Sequence, residues 1–194
     1  MLKIGITGGI GSGKSTVCKM FEIIGIPVFY ADTESKKILY GDENIKQKIL
    51  TAFGNSILDD AGLIDRKKLA TIVFNNKAEL ENLNNILHPA VALHFENWVK
   101  QQNSAYVLKE AAILFESGAY KQVDNVIAIV APLELKIKRT IGRDAITVEE
   151  VLARMKNQLT DEEKIKRSDF VIYNDEQQLL IPQVLKVHSL LIAG

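Results

Sequence analysis

Five short, mainly apolar runs are spaced along the chain, and stretches with helical periodicity separate most of them. The runs are LKIGIT (2–7), PVFY (27–30), AYVLKE (105–110), NVIAIVA (125–131) and DFVIY (169–173). Several are almost continuously apolar, which is typical of strands that helices cover on both faces. The alternation predicts βαβ units, and therefore an α/β fold with three layers around a five-stranded parallel sheet.

Residues 33–102 interrupt this alternation, because they show helical periodicity and no convincing strand. Within them, Pro89 is predicted to open another helix, with Val91 and Phe95 on its apolar side. A shorter, charge-rich helical stretch, residues 139–167, separates the fourth and fifth runs. We therefore expect one helical insertion between the second and third strands and a second between the fourth and fifth.

The first run ends in a glycine-rich stretch, GITGGIGSGKST, which satisfies the phosphate-loop pattern G-x-x-x-x-G-K-S. In such a loop the glycines let backbone N–H groups turn toward phosphate oxygens, and the next helix adds the positive end of its dipole. Lys14 is expected to reach the β- and γ-phosphates, and the Ser15 hydroxyl to ligate Mg²⁺. The predicted ATP-binding residues of the loop are Gly9, Ile10, Gly11, Ser12, Gly13, Lys14, Ser15 and Thr16.

Two short sequences resemble GTPase motifs, but their spacing argues against that class. Residues 59–62 fit D-x-x-G, and residues 76–79 come close to the guanine-reading motif N-K-x-D. Those motifs end different strands, which a βαβ unit of about 30 residues or more should separate. Here they are much closer together, and both fall in the helical interval. A small-molecule kinase is the better interpretation of the phosphate loop.

A kinase also needs a group that orients the attacking hydroxyl and cations near the transferred phosphoryl group. Asp32 follows the second apolar run, where strand ends line the ligand crevice, although it also fits the N-cap of the next helix. Lys136, Arg139 and Arg143 recur at helical spacing and form a cationic stripe. With Arg154, this stripe can close over phosphates as a lid. The alternative is a solvated helix face paired with nearby glutamates.

Composition limits the partners and the chemistry. The 194 residues carry 24 basic and 24 acidic side chains, so nothing indicates a polybasic nucleic-acid binder. One cysteine excludes an internal disulfide framework and a four-cysteine zinc site, and three scattered histidines give no metal-ligand spacing. The chain has no apolar run of membrane-spanning length and no signal-peptide pattern, so we expect a cytoplasmic protein that contacts no membrane.

The ordered set of motifs resembles the dephospho-CoA kinase family over nearly the whole chain. After the phosphate loop come YAD, GLIDRKKLATIVF, LNNILHPAV, AAILFESG, KRTIGRD, RMKNQ and SDFVIYND. The resemblance implies a P-loop kinase core, a helical domain for the CoA acceptor and a helical lid. The predicted boundaries are 1–32, 103–138 and 168–194 for the nucleotide-binding core, 33–102 for the acceptor-binding insertion and 139–167 for the lid.

The resemblance also implies the reaction: ATP phosphorylates the ribose 3′-hydroxyl of dephospho-CoA, with Mg²⁺, in the final step of coenzyme A biosynthesis. The catalytic residues it implies are Asp32, Lys14, Arg139 and Arg143. Asn174 lies where the family contacts the ATP base, so it joins Arg139 among the ATP-binding residues. The predicted acceptor-binding residues are Asp32, Arg66, His88, Glu116 and Arg154.

Some roles stay open at this point. Glu116 is a candidate for contact with the acceptor or Mg²⁺, or else a helix-start carboxylate. His88 precedes Pro89, so a role at a helix N-terminus competes with contact to the acceptor. If His88 contacts the acceptor, we favour positioning over proton transfer. The chain has Lys136 where the family usually has Gln, so the role of Lys136 stays open. The role of Glu110 also stays open. We expect ATP and dephospho-CoA as partners, no nucleic acid, and a monomer in preference to an oligomer. The alternative functions are a nucleotide-dependent regulator without transfer activity and a nucleoside monophosphate kinase.

Overall fold

A parallel five-stranded sheet forms the centre of the fold in the computed structural model, which describes residues 1–193 apart from the side chains at positions 74 and 75. The strands are β1 (Leu2–Thr7), β2 (Val28–Tyr30), β3 (Tyr106–Glu110), β4 (Asn125–Val130) and β5 (Phe170–Tyr173). Their order is β2-β3-β1-β4-β5, and all neighbouring strands are parallel. The predicted α/β fold is confirmed, and each strand begins within one residue of its predicted start.

The chain divides into two compact units, one of Met1–Tyr30 with the residues from Gln101 onward, the other of Ala31–Lys100. We call them the sheet unit and the helical unit. The sheet unit contains helices α1 (Lys14–Ile23), α6 (Leu133–Asp144), α7 (Val148–Met155), α8 (Asp161–Lys166) and α9 (Leu180–Ala193). The helical unit contains α2 (Ala31–Gly41), α3 (Glu43–Phe53), α4 (Arg66–Asn75) and α5 (Lys77–Lys100). The functional assignment of the predicted ranges stays a prediction, and Gly194 lies outside the described residues.

Helices α1 and α9 pack together over one face of the sheet. Phe21 of α1 and Val184 of α9 belong to the same buried cluster as Ile6, Leu108 and Ile129 of the strands. The central strands are buried on both faces, which explains why they read as continuous apolar runs. Because β1 and β4 are parallel neighbours, their carboxyl ends, and the loops that follow them, lie at the same edge of the sheet.

The helical unit has its own apolar core. The buried residues of this core are Leu39, Ile45, Ile49, Ile57, Ile64, Leu69, Val73, Leu83 and Leu87. Among the described residues of the unit, β structure is limited to one isolated bridge between Leu58 and Ile64. The turn after that bridge ends at Asp65, whose carboxylate accepts the backbone N–H groups of Lys67 and Lys68 at 2.7 and 3.1 Å and so caps α4.

The prediction that Pro89 opens a new helix is wrong, because α5 continues through it over 24 residues. A proline removes one backbone hydrogen bond from a helix interior. Leu87 and Val91 are buried on either side of the proline, as are Leu83 and Phe95 one turn further out. This apolar stripe anchors both halves of the helix. Neither α5 nor any other helix among residues 1–193 is long and apolar enough to cross a membrane.

Candidate active site

The phosphate loop, residues 8–13, links β1 to α1 and is shaped by its glycines. Gly11 and Gly13 have φ angles of 76° and 93°, in the left-handed region that favours glycine. A Cβ on Gly11 would lie 2.3 Å from the carbonyl oxygen of Lys136, and one on Gly13 would lie 2.0 Å from Asn174 Nδ2. Both positions therefore require glycine twice over, for backbone conformation and for close packing against α6 and the residue after β5.

Lys14, the first residue of α1, turns its ammonium group back over the loop. Its Nζ donates to the carbonyl oxygens of Gly8 at 3.0 Å and Gly9 at 3.3 Å. The same Gly9 carbonyl accepts the backbone N–H of Ser12 at 3.1 Å, which closes the turn at the top of the loop. The positive charge is thus held at the helix N-terminus, where phosphate oxygens bind in loops of this type.

Ser15 presents the hydroxyl that the sequence assigns to a metal. It is exposed in the first turn of α1. The described residues contain no group of three or more His, Cys, Asp or Glu side chains that could hold a metal ion. Mg²⁺ usually binds one or two protein oxygens together with substrate phosphates and water, not a cage of protein ligands. A single hydroxyl beside a phosphate loop therefore fits Mg²⁺ bound with a nucleotide.

Arg139 and Asn174 meet beside the phosphate loop. The Arg139 guanidinium donates to the backbone and side-chain oxygens of Asn174 at 3.2 and 3.4 Å, and to Glu176 Oε1 at 3.0 Å. Asn174 Nδ2 in turn donates to the carbonyl oxygen of Ser12 at 2.8 Å. Asn174 and Glu176 also line a cavity of about 430 Å³ with apolar residues that precede and begin α9. The structure therefore brings together three predicted ATP-binding residues, one from the phosphate loop, one from α6 and the one that follows β5.

Arg143 and Arg154 share one carboxylate, that of Asp144. Arg143 Nε lies 2.7 Å from Asp144 Oδ1, and Arg154 Nη1 lies 3.1 Å from Asp144 Oδ2. The hydrogen bond from Arg143 lowers the pKa of Asp144 most, and Arg154 adds to the effect. The two predicted lid arginines are thus held as a pair, and their partner is an aspartate instead of the glutamates that the sequence alternative named.

The side chain of Glu116, in the turn after β3, is bound to the segment that leads into α8. Its Oε1 accepts the Leu159 backbone N–H at 2.7 Å and the Lys164 ammonium at 2.7 Å. The Lys164 side chain is 0% exposed and that of Glu116 17%. Burial raises the pKa of Glu116, but the bonds from Lys164 and Leu159 outweigh it and lower the pKa overall. Glu116 is therefore the counter-charge of a buried lysine.

A family model described as dephospho-CoA kinase matches residues 2–179. The chain belongs to the dephospho-CoA kinase family. A dephospho-CoA kinase from Bacteroides fragilis is 39% identical over 191 residues, which cover 98% of this chain and 93% of that protein. A crystal structure of a Thermus thermophilus protein superimposes with a TM-score of 0.89 at 32% identity, covering 100% of this chain and 98% of that one. A dephospho-CoA kinase from Campylobacter jejuni gives a TM-score of 0.70 at 34% identity, covering 99% and 98%.

Two of the residues expected to bind the acceptor in this family, Asp32 and Arg66, are exposed in the helical unit. Asp32 is the second residue of α2, so it lies inside the helix and is not its N-cap. Arg66 begins α4, where a positive charge is unfavourable to the helix dipole. Within the described part of residues 31–100, neither side chain forms a hydrogen bond or ion pair. His88 is half-buried in α5.

Sequence reasoning did not single out Gln158, Asp161 or Lys164 as site residues. The Gln158 side-chain oxygen accepts the backbone N–H of Ile10, in the phosphate loop, at 2.9 Å. Asp161 Oδ2 lies 2.8 Å from Lys136 Nζ, which gives Lys136 a partner that the sequence left open. The motif RMKNQ contains Gln158, so the signal was present, but no local pattern indicates which partner a glutamine finds.

Glu110 lies at the carboxyl end of β3, opposite Ile6 of β1, and is buried. Burial is the main cause that raises the pKa of the Cys18 thiol in α1, and the negative charge of Glu110 raises it further. Cys18 is therefore a neutral, packed thiol, as expected for a buried cysteine in apolar surroundings.

Proposed function

We propose that this protein transfers the γ-phosphoryl group of ATP to the ribose 3′-hydroxyl of dephospho-CoA, which gives coenzyme A and ADP. The observation that carries the proposal is the glycine-built phosphate loop, ending in Lys14 and Ser15, in a chain of the dephospho-CoA kinase family. This reaction completes coenzyme A biosynthesis.

The sheet unit is proposed to bind ATP. The Ile10 and Ser12 N–H groups are held by Gln158 and by the Gly9 carbonyl, so other backbone N–H groups of the loop face the phosphates. Lys14 exchanges its carbonyl partners for β- and γ-phosphate oxygens. The base lies against Asn174 and the exposed apolar side chains of Leu179 and Ile181, which are 77% and 61% exposed and line the same cavity. Apolar side chains beside an amide suit a base, because the apolar side chains contact the flat ring and the amide orients it by hydrogen bonding.

The helical unit is proposed to bind dephospho-CoA, with Asp32 as the catalytic carboxylate. Asp32 orients the 3′-hydroxyl and accepts its proton as the 3′-oxygen bonds to the γ-phosphorus. The bond from that phosphorus to the bridging oxygen breaks, and ADP leaves. Arg66 offers an exposed guanidinium, which is suited to the diphosphate of the acceptor, and His88 positions the acceptor.

Residues 139–167 are proposed to act as the lid. Arg139, Arg143 and Arg154 offset negative charge on the transferred group and on the leaving phosphate. Since Arg143 and Arg154 share Asp144, one movement of this pair delivers two guanidinium groups. Closure of the lid excludes water, which suppresses hydrolysis of ATP. For Glu116, the contact with Lys164 supports a role in holding this region, beside the predicted contact with the acceptor.

Ser15 is the residue proposed to hold Mg²⁺. When bound, the ion neutralises charge on the β- and γ-phosphate oxygens. We also propose that the protein acts in the cytoplasm, as a monomer in preference to an oligomer, with ATP and dephospho-CoA as its substrates. The single cysteine is buried, so the fold uses no disulfide, in keeping with a reducing compartment.

A product assay tests the function. Purified protein is incubated with Mg²⁺-ATP and dephospho-CoA, AMP or CMP, and the products are identified by mass spectrometry. We expect dephospho-CoA alone to gain one phosphoryl group, and the product to support a coenzyme A-dependent enzyme, which identifies the 3′ position. Lys14→Ala, purified in parallel, should be inactive and so exclude a contaminating kinase. Turnover of ATP without an acceptor, or transfer only to a mononucleotide, would contradict the proposal.

A further inference from the structure

One peptide group at the top of the phosphate loop is held from both sides. Its carbonyl, that of Gly9, accepts the Lys14 ammonium at 3.3 Å and the Ser12 N–H at 3.1 Å. Its N–H, that of Ile10, donates to Gln158 Oε1 at 2.9 Å. Because a peptide group is planar, a partner at one end limits the rotation of the other. Gln158 therefore restrains the orientation of the Gly9 carbonyl, which also accepts the Lys14 ammonium.

Gln158 itself belongs to a segment that is fixed at three points. We call residues 158–164 the strap. Gln158 fixes its start to the loop, and Asp161 forms an ion pair with Lys136 of α6 at 2.8 Å. Its end is fixed by Lys164, which is fully buried and bound to Glu116 at 2.7 Å. The Asp161 and Lys136 side chains are themselves only 18% and 12% exposed, so the strap is packed and not a loosely solvated loop.

We propose that Gln158 is a positioning residue for ATP binding: it holds the Gly9–Ile10 peptide, and the strap holds Gln158. The inference rests on the proposed ATP site and deepens it, because it names a residue that acts on the phosphates through the loop and not by contact. When ATP draws Lys14 away from the Gly8 and Gly9 carbonyls, that side of the peptide loses a partner. The bond from Ile10 to Gln158 then keeps the carbonyl of Gly9 oriented toward the Ser12 N–H.

The first test reads the hydrogen bond directly and needs no substrate. Amide hydrogen exchange at Ile10 is measured by NMR in nucleotide-free wild type, Gln158→Ala and Gln158→Glu. We expect exchange at Ile10 to be at least about tenfold faster in Gln158→Ala, because the N–H loses its acceptor. Gln158→Glu keeps an acceptor and should keep the protection. Equal exchange at Ile10 in all three proteins would overturn the proposal.

The second test measures ATP binding. We expect Gln158→Ala to raise the Kd for Mg²⁺-ATP about five- to tenfold, the loss expected for one neutral hydrogen bond, with kcat changed less than threefold. Asn157→Ala is the matched control, since Asn157 is an exposed neighbour outside the strap. A Kd within twofold of wild type for Gln158→Ala, or an equal change in Asn157→Ala, would overturn the proposal. Because the ligand is ATP, a wrong acceptor assignment leaves this result unaffected.

A double-mutant cycle tests whether the strap holds Gln158. Lys164→Met keeps the buried stem and removes the ion pair with Glu116. If the strap acts through Gln158, Lys164→Met should weaken ATP binding in wild type, and weaken it much less when Gln158→Ala is already present. Additive changes in the Kd would show that the two ends act separately, and would remove the strap from the proposal. Thermal midpoints of all four proteins identify any variant that is unfolded. Asp161→Asn, which removes the ion pair of the strap with Lys136, replaces Lys164→Met if the latter does not fold.

Discussion

The sheet unit and the helical unit hold their charged candidate functional side chains in opposite ways. In the sheet unit, Lys14, Arg139 and Arg143 are all bound to other protein groups. In the helical unit, Asp32 and Arg66 are exposed and form no hydrogen bond or ion pair within the described part of that unit. Side chains of the first kind are positioned before a ligand arrives, and binding must exchange their partners. Those of the second kind can be changed with little loss to the fold.

The comparison has a consequence for mutations. Changes at the loop and its neighbours should lower stability as well as ATP binding, since the same contacts serve both. Changes at Asp32 and Arg66 should alter kinetics and change the thermal midpoint only slightly. Four experiments address this difference, in order of decreasing expected effect.

Asp32→Asn should have the largest effect on the reaction. Loss of a general base typically lowers kcat by about 10²- to 10⁴-fold, because the amide cannot accept the hydroxyl proton. Since Asp32 is exposed, we expect the Kd for ATP to stay at its wild-type value. The thermal midpoint should fall only slightly, because a negative charge leaves the first turn of α2. Steady-state kinetics with dephospho-CoA, ATP titration and calorimetry measure the three quantities.

Asp60→Asn is the matched control for this experiment. It is the same chemical change at another exposed position of the helical unit, and it should leave kcat unchanged. A wild-type rate in Asp32→Asn would remove Asp32 from the mechanism. A large fall in its thermal midpoint would break the distinction between the two units.

Gly13→Ala should give the largest loss of stability. The side chain would occupy a left-handed backbone position, at a cost of about 1–2 kcal/mol, and would displace Asn174 from Ser12, at about 1 kcal/mol more. For a chain of this size, the sum of about 2–3 kcal/mol lowers the thermal midpoint by about 4–12 °C. ATP binding should be lost as well, because Ser12 and Asn174 belong to the loop's own contacts.

Gly118→Ala separates the two causes. Gly118 also has a positive φ, 75°, but a Cβ there would meet nothing within 4 Å. Gly118→Ala should lower the free energy of unfolding only by the cost of a left-handed backbone conformation, about 1–2 kcal/mol, and leave ATP binding intact. If both variants lose equal stability and both bind ATP, then contact with Asn174 does not shape the loop.

The parts of this molecule that the sequence predicts are those with local causes. Continuous apolar runs mark the buried strands, and the spacing of glycines before Lys14 marks the phosphate loop, since each pattern is contained within a few consecutive residues. Pro89 misled the helix assignment because a buried stripe on both sides outweighed its local effect. The hydrogen bond from Ile10 to Gln158 joins residues 148 positions apart, and the bond from Asn174 to Ser12 joins residues 162 positions apart. Such pairs depend on how strands order in the sheet, which no local pattern contains.

Arg66→Ala tests the helical unit at a second position, with a smaller effect. If Arg66 binds the diphosphate of the acceptor, its loss should raise the KM for dephospho-CoA about tenfold, as for one charge-assisted contact, with the KM for ATP unchanged. The thermal midpoint should stay the same or rise slightly, because a positive charge leaves the N-terminus of α4. Lys67→Ala, an exposed neighbour, is the control. An equal effect in both variants would point to general attraction by positive charge instead of a specific contact.

The smallest effect concerns Glu116, and its dependence on pH identifies it. Burial raises the pKa of Glu116, yet the bonds from Lys164 and Leu159 lower it overall. A carboxyl whose pKa is lowered by folding stabilises the protein above its unfolded pKa, about 4.3, and loses this contribution as the pH falls through the folded value. Glu116→Gln should therefore lower the free energy of unfolding by about 1 kcal/mol at pH 7, and by less and less as the pH falls below about 4.3. Urea unfolding over that range measures the difference.

In a Lys164→Met background, where the buried positive charge is absent, the same substitution should have little effect at any pH. A difference between wild type and Glu116→Gln that stays constant down to the acid limit would mean that the Glu116 charge does not stabilise the strap.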